Sequence, residues 1–360
     1  MKRTLPLLAL ALLSAPRTSP ADPQPSPGPD PLPILWGVGR LTPAESRLLA
    51  RGGAVVKTVE TDDRSEILTF AAVKVSTTAA RVLDRFRDVE GRRGEPWTRQ
   101  IGRLANPPAA ADFTGLTLDA GDAQFLASCR LHRCELRLPK EAIEKLPRDL
   151  AAAPPATRQD RASALFRELL ARYTESYRAR GNAALFYYEN NDDPVGIPAS
   201  LATLLARSQF LNALAPDLYA YLARYPEGRP ADVEDLTYWV KERFWLRDVL
   251  SLNHITLSDR RTGTGRLVLV VSKQLYATRY YESSLGVAAY VEGPAGVYLV
   301  LANRTRADIR PSGFTRVERM LLNYLVRHRL EARVASLQAQ LRAPSAAKGA
   351  GAGTAVRPTS

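Results

Sequence analysis

Groups that commonly carry chemistry are scarce in this chain of 360 residues, which holds three histidines, two cysteines and two methionines. Cys129 and Cys134 flank His132, yet no second ligand pair lies at a spacing that would complete a tetrahedral zinc site. Their spacing also differs from the Cys-x-x-Cys of a redox-active pair. His254 has no serine or cysteine motif beside it, so it reads as a structural histidine, and His328 sits among arginines on an exposed helix face. Gly37-Val38-Gly39 and Gly263-Thr264-Gly265 lack the helix and third glycine of a phosphate-binding loop and read as turns. The acidic run Glu189 to Asp193 lacks the glycine and closing glutamate of an EF-hand and reads as a solvated turn. These absences leave no catalytic residue, metal site or cofactor to name.

Long apolar runs are equally lacking. The run Leu5 to Leu13 is too short to span a bilayer; Lys2 and Arg3 precede it and Ser19-Pro20-Ala21 follows, so residues 1–21 read as a secretory signal peptide. No cysteine follows the run, which excludes a lipoprotein anchor. The expected compartment is therefore periplasmic or secreted, from a bacterium, where Cys129 and Cys134 can close a small disulfide loop. The formal net charge is +13, carried mostly by arginine, as a GC-rich genome would give. Its functional counterpart is a peripheral contact with an anionic membrane; the compartment disfavours nucleic acid as a partner.

Hydrophobic residues at 45% and charged residues at 24% are enough for a sizeable core. A proline-rich linker is expected over 22–33, a short helix within 34–51 after the start signal Thr42-Pro43-Ala44-Glu45, and a disordered Ala/Gly/Ser/Pro tail over 343–360. Between the linker and the tail lies one domain, 34–342. Near its end, the runs Leu267–Tyr281, Leu285–Val291 and Gly296–Asn303, separated by short polar links, read as an antiparallel meander. A long helix from near Ser312 follows, with Phe314, Val317, Leu321, Leu325, Val334, Leu337 and Leu341 interleaved with arginines. Its apolar stripe belongs on the sheet and its arginines on a solvated or membrane-facing side.

Upstream, Glu66–Val75 is a strand passing at Ser76 into a helix with Ala80, Val82, Leu83, Phe86 and Val89 at helical spacing. Trp97–Leu104 and Cys134–Leu138 are candidate strands, and everything over 139–246 reads as a helical insertion. Its helix faces are Ala162 to Tyr177 (ended by Gly181), Leu201 to Leu205, Leu218 to Leu222, and Val233–Leu246 with Trp239, Phe244 and Trp245. Strands return at Val249, with Leu250, Leu252, His254 and Thr256 on one face.

A strand running into a helix through a short polar turn, and a closing meander with a long helix, together resemble the START-like (helix-grip, SRPBCC) superfamily. The resemblance covers about residues 63–91 and 248–341 and implies an α+β fold in which a curved antiparallel sheet grips the C-terminal helix around a cavity.

Alternation along Leu267–Tyr281 places Ser272, Gln274, Tyr276, Thr278 and Tyr280 on one face, which has the polar and aromatic mixture of a ligand pocket. The expected function is non-catalytic binding or carriage of a hydrophobic small molecule or lipid. The alternatives are a cavity enzyme of cyclase or hydrolase type, or an interaction module that uses Trp239, Phe244 and Trp245 as an exposed anchor.

Overall fold

The structure is a computed structural model that describes residues 30–244, 246–263, 265–307 and 316–342. The chain opens with α1 (Pro31–Gly39) and α2 (Pro43–Ala50), continues through β1 (Ala54–Val59), β2 (Glu66–Lys74) and α3 (Ala79–Arg87), and reaches β3 (Thr98–Arg103). A helical segment follows: α4 (Ala120–Ser128), α5 (Lys140–Ala151), α6 (Arg158–Arg180), the two-residue strands β4 (Tyr187–Tyr188) and β5 (Val195–Gly196), α7 (Ile197–Ala206), α8 (Gln209–Leu214) and α9 (Pro216–Arg224). Five long strands come next, β6 (Val233–Phe244), β7 (Arg247–Thr262), β8 (Gly265–Ala277), β9 (Tyr281–Gly293) and β10 (Gly296–Ala307), and then α10 (Arg316–Arg342).

Eight strands form one antiparallel sheet in the order β1-β2-β10-β9-β8-β7-β6-β3. The meander expected from the C-terminal runs is present, and its register continues through two earlier strands. The chain is therefore α+β with a large antiparallel sheet. Local signals set several helix starts. Thr42 caps α2 in a reciprocal capping box with Glu45, and Thr78 caps α3 by accepting from the Arg81 amide at 3.4 Å.

Both faces of the sheet are covered, and each has its own core. One face meets α1, α2 and the helices α4 to α9; here Leu252, Leu269, Val271 and Val287 pack against Phe166, Tyr177, Leu201 and Leu218. The other meets α3 and the C-terminal half of α10, with Val82, Leu83, Leu337 and Leu341 against Val73, Val268 and Leu299. Burial on both sides makes the strands nearly continuous apolar runs, which removes the alternation that would mark them as strands.

That double burial explains the main departures from the sequence reading. Val233–Phe244 is the strand β6, second from the β3 edge of the sheet, and not a fourth helix: Leu236, Tyr238, Val240, Glu242 and Phe244 lie on the face that meets α3 and α10 while Trp239 faces the helical layer. Trp239 is 2% exposed, with its ring stacked on Phe113 at 6.3 Å and its Nε1–H donated to the Asp112 carbonyl at 2.9 Å. It is core and not an exposed anchor, and Phe244 is buried as well; Trp245 lies outside the described residues. Cys134–Leu138 forms no strand; it is a loop tied to Glu189 and Asn190, and Cys129 and Cys134 are disulfide-bonded.

Smaller shifts follow from local geometry. The helix α1 begins inside the proline-rich stretch, with Asp30 as its cap, and Gly37 and Gly39 belong to its last turn and not to a loop. The β8–β9 connection is Thr278–Tyr280, turned by Tyr280 at φ 68°, so that Glu282, Ser283 and Ser284 belong to β9. The signal peptide, the linker over 22–29 and the tail over 343–360 lie outside the described residues. Among those described, no helix is long and apolar enough to cross a membrane.

Candidate functional site

Between the sheet and α10 lies a cleft of about 550 Å³, a size that suits a small-molecule ligand. Its floor is laid down row by row through strand register. Paired neighbours Leu257, Val270, Ala288, Leu301 and Ala71 form an apolar row. One pleat along, Ile255, Ser272, Gly286, Asn303 and Thr69 form a row in which neutral polar groups dominate. A further pleat brings Asn253 beside Gln274 and Ser284 beside Thr305. Phe86 and Val89, from α3 and the turn after it, and Val326, Leu330 and Leu337 of α10 complete the walls. Polarity thus rises in one direction along the strands.

Most of these polar groups satisfy one another. Ser284 Oγ donates to Asn303 Oδ1 at 3.0 Å, Asn303 Nδ2 donates to Thr305 Oγ1 at 2.8 Å, and Asn253 Nδ2 donates to Ser251 Oγ at 3.0 Å. Gln274 differs: its Oε1 is shielded from solvent and accepts no hydrogen bond. A shielded acceptor without a donor costs roughly 1–3 kcal/mol, which a ligand donor would recover.

The polar end of the cleft is charged. Glu242 of β6 accepts from Arg92 Nη2 at 2.9 Å and from Arg333 Nη2 at 2.7 Å, and Arg329 Nη2 lies 3.4 Å from its other oxygen. Burial pushes the Glu242 carboxyl up, but the charges of Arg333, Arg92 and Arg329 outweigh it and hold the group at about 2. The indole of Trp97 lies 5.3 Å from the Arg329 guanidinium and 5.6 Å from that of Arg333, a packing that fixes both side chains. Arg329 also donates from Nη1 to the Arg243 carbonyl at 3.1 Å, tying α10 to β6. Tyr280 and Tyr281 close this end against Phe244, at ring distances of 5.6 and 5.3 Å.

Of the five residues placed on one strand face by alternation, Ser272, Gln274 and Tyr280 line the cleft, while Tyr276 and Thr278 do not. The reason is a β-bulge. Asn253 pairs with Gln274 but Leu252 pairs with Tyr276, so Leu275 is an extra residue and the parity of β8 flips there. Tyr276 therefore points into the helical layer, where its hydroxyl donates to the Arg137 carbonyl at 2.9 Å. Thr278 is fully buried, its Oγ1 accepting from the Leu250 amide at 3.1 Å. Arg329 and Arg333, expected on a solvated helix face, instead point into the cleft mouth. Their i, i+4 spacing was visible in the sequence, but their partner Glu242 was hidden by the reading of β6 as a helix.

A second polar cluster occupies the opposite face of the sheet. His254 Nε2 lies 2.9 Å from Asp235 Oδ1 and its Nδ1 lies 2.9 Å from the Tyr177 hydroxyl. Asp235 also accepts from Tyr221 at 2.6 Å and Thr256 at 2.9 Å. A carboxylate can only accept here, which assigns the proton to Nε2 and makes Nδ1 the acceptor of the tyrosine proton. Burial lowers the His254 pKa to about 4, against the opposing pull of Asp235, so the ring is neutral at pH 7. Lys273, paired with His254 across the strands, is 3% exposed; burial lowers its pKa to about 7. Its Nζ donates to Asn182 Oδ1 at 3.2 Å and lies 4.6 Å from the centre of the Tyr225 ring. Asn182 and Tyr225 are brought together by Gly181, which ends α6 at φ 60°. Each member of the His254–Asp235–Tyr177 chain has its partners, so the cluster reads as a satisfied buried network, in keeping with a structural His254.

No group of three or more potential metal-ligating side chains is present among the described residues. No family model matches the chain, and no curated protein and no solved structure matches it either.

Proposed function

We propose that this protein binds, and carries without altering it, a hydrophobic small molecule or lipid in the cleft between the sheet and α10. The observation that carries this reading is the graded cleft itself: about 550 Å³ with an apolar row at one end and neutral polar rows toward the other. Such a surface takes up an elongated amphiphile in one orientation. Withdrawal of apolar ligand surface from water supplies the affinity at ~25 cal/mol per Å², or about fourfold per added methylene. Lining groups such as Gln274 and Ser272 orient the polar part.

The packing of α10 on one face of the sheet supports the START-like resemblance, which implies a ligand cavity in the same space. The disulfide between Cys129 and Cys134 supports an oxidising compartment, and with it the periplasmic or secreted reading. Release of ligand requires α10 to move away from the sheet. The Arg329 and Arg333 contacts with β6 are the restraints on that motion.

The test compares organic extracts of two preparations from the native compartment by mass spectrometry, the natural protein and a Ser272→Phe variant. Ser272 stands at the centre of the floor, so a phenyl group there fills the space a ligand would occupy. A hydrophobic species enriched in the natural protein and lost from the variant, with thermal stability retained, is the expected result. Equal extracts from both, matching those of an unrelated exported protein, would overturn the reading.

A further inference from the structure

The charged mouth of the cleft has more cation than its own carboxylates neutralise. Four guanidiniums, Arg85, Arg92, Arg329 and Arg333, face two carboxylates, Glu95 and Glu242. The carboxylates are fully engaged: Glu242 with three of the arginines, and Glu95 with Arg85 at 3.8 Å, Arg92 at 3.4 Å and the Trp97 Nε1–H at 2.9 Å. The guanidiniums are not. Arg329 Nη2 and Arg333 Nε are shielded from solvent and donate no hydrogen bond, although Arg329 Nη2 is within ion-pair distance of Glu242. Both side chains are held against the Trp97 indole, so their donors keep a fixed direction.

We infer that this mouth is a head-group site, and that the ligand class is the acidic amphiphile, an alkyl chain ending in a carboxylate or phosphate bound by Arg329 and Arg333. The inference rests on the binding reading of the cleft and specifies its polar end. The chain of the ligand lies along the apolar row of Val270, Ala288 and Leu301, and its head reaches the side where the net positive charge is concentrated. An oxyanion there accepts from donors that are otherwise shielded and unmatched, which is the arrangement in which charge-assisted hydrogen bonds add most. An uncharged oxygen accepts from the same donors more weakly, and a cationic head is repelled by them.

Equilibrium dialysis of the full chain, quantified by mass spectrometry, tests this with four probes: dodecanoate, dodecanol, dodecyl phosphate and inorganic phosphate. Dodecanoate and dodecyl phosphate are expected to bind about tenfold or more tighter than dodecanol, the fold-change of one charge-assisted hydrogen bond. Arg333→Gln should bring that ratio to within about threefold; because the substitution also removes the Glu242 contact, the readout is the ratio between the two probes and not absolute affinity or melting temperature. Should that variant fail to fold, raising the salt concentration provides the same discrimination on the natural protein, weakening dodecanoate and not dodecanol. Equal affinity for dodecanoate and dodecanol in the natural protein would overturn the head-group site and leave the cleft reading standing. Binding of no alkyl probe would overturn both. Inorganic phosphate competing as well as dodecyl phosphate would place a free anion, and not an amphiphile, at the mouth.

Discussion

Replacing Lys273 by methionine should stabilise this protein at neutral pH and destabilise it at high pH. Methionine keeps the length and apolar character of the stem, and only the ammonium is lost. Burial holds the folded-state pKa at about 7 against an ordinary value of 10.5. Between those values the folded chain binds fewer protons than the unfolded one, so stability rises with pH across that window. The unfavourable contribution is complete below pH 7, where the shift corresponds to on the order of 5 kcal/mol, and is nearly gone at pH 10.5. Against this gain, the variant loses the bond to Asn182 Oδ1 and leaves that acceptor unmatched, roughly 1–3 kcal/mol at any pH. The net effect is a gain of about 2–4 kcal/mol at pH 7 that turns into a loss of about 1–3 kcal/mol at pH 10.5. Urea unfolding of both proteins at the two pH values measures the difference directly, because other titrating groups cancel in the comparison. A variant that is destabilised by the same amount at both pH values would show that the ammonium is not confined as described.

His254 and Gly181 give two further expectations. With its pKa lowered to about 4, His254 resists protonation in the folded state, so stability should fall by about 3 kcal/mol as pH drops from 6.5 to 4. Imidazole nitrogen shifts should keep the neutral tautomer at pH 5, and a titration midpoint near 6.5 would contradict the buried placement. A methyl group on Gly181 would stand 1.7 Å from the Tyr225 carbonyl oxygen at a backbone φ of 60°, so Gly181→Ala should cost several kcal/mol. A melting temperature within a degree of the natural protein would show that α6 does not end there.

The periodic and capped parts of the chain were legible in the sequence. The capping residues of α2, the face of α6 from Ala162 to Tyr177 and the β9–β10 turn each rest on contacts within a few residues. What could not be read came from contacts distant in sequence. The strand β6 has apolar side chains on both faces because helices cover both, and that pattern is shared with a buried helix. The bulge at Leu275 has no local marker: no glycine or proline signals it, and it shows only in the pairing of Asn253 and Leu252 with β8. Ser272 and Gln274 lie on the face that alternation gives them, Tyr276 and Thr278 come after the bulge and leave it, and Tyr280 reaches the cleft from the turn that follows β8 and not by alternation. The guanidiniums of Arg329 and Arg333 were visible as helix residues, but a helix rich in arginine gives no sign of which of them turn inward.

The pairing of β2 with β10 has a consequence for how the chain is made. Thr69 and Asn303, neighbours in the sheet, are separated by 234 positions in sequence. During synthesis from the N-terminus, β1 and β2 emerge as a hairpin whose outer edge has no partner until nearly the whole polypeptide exists. The sheet cannot close early, and the nascent chain spends most of its elongation with an unsatisfied strand edge open to solvent. Such a topology folds slowly, since its ends must find each other across the full length of the chain. It also keeps the polypeptide loose until its last strands are released.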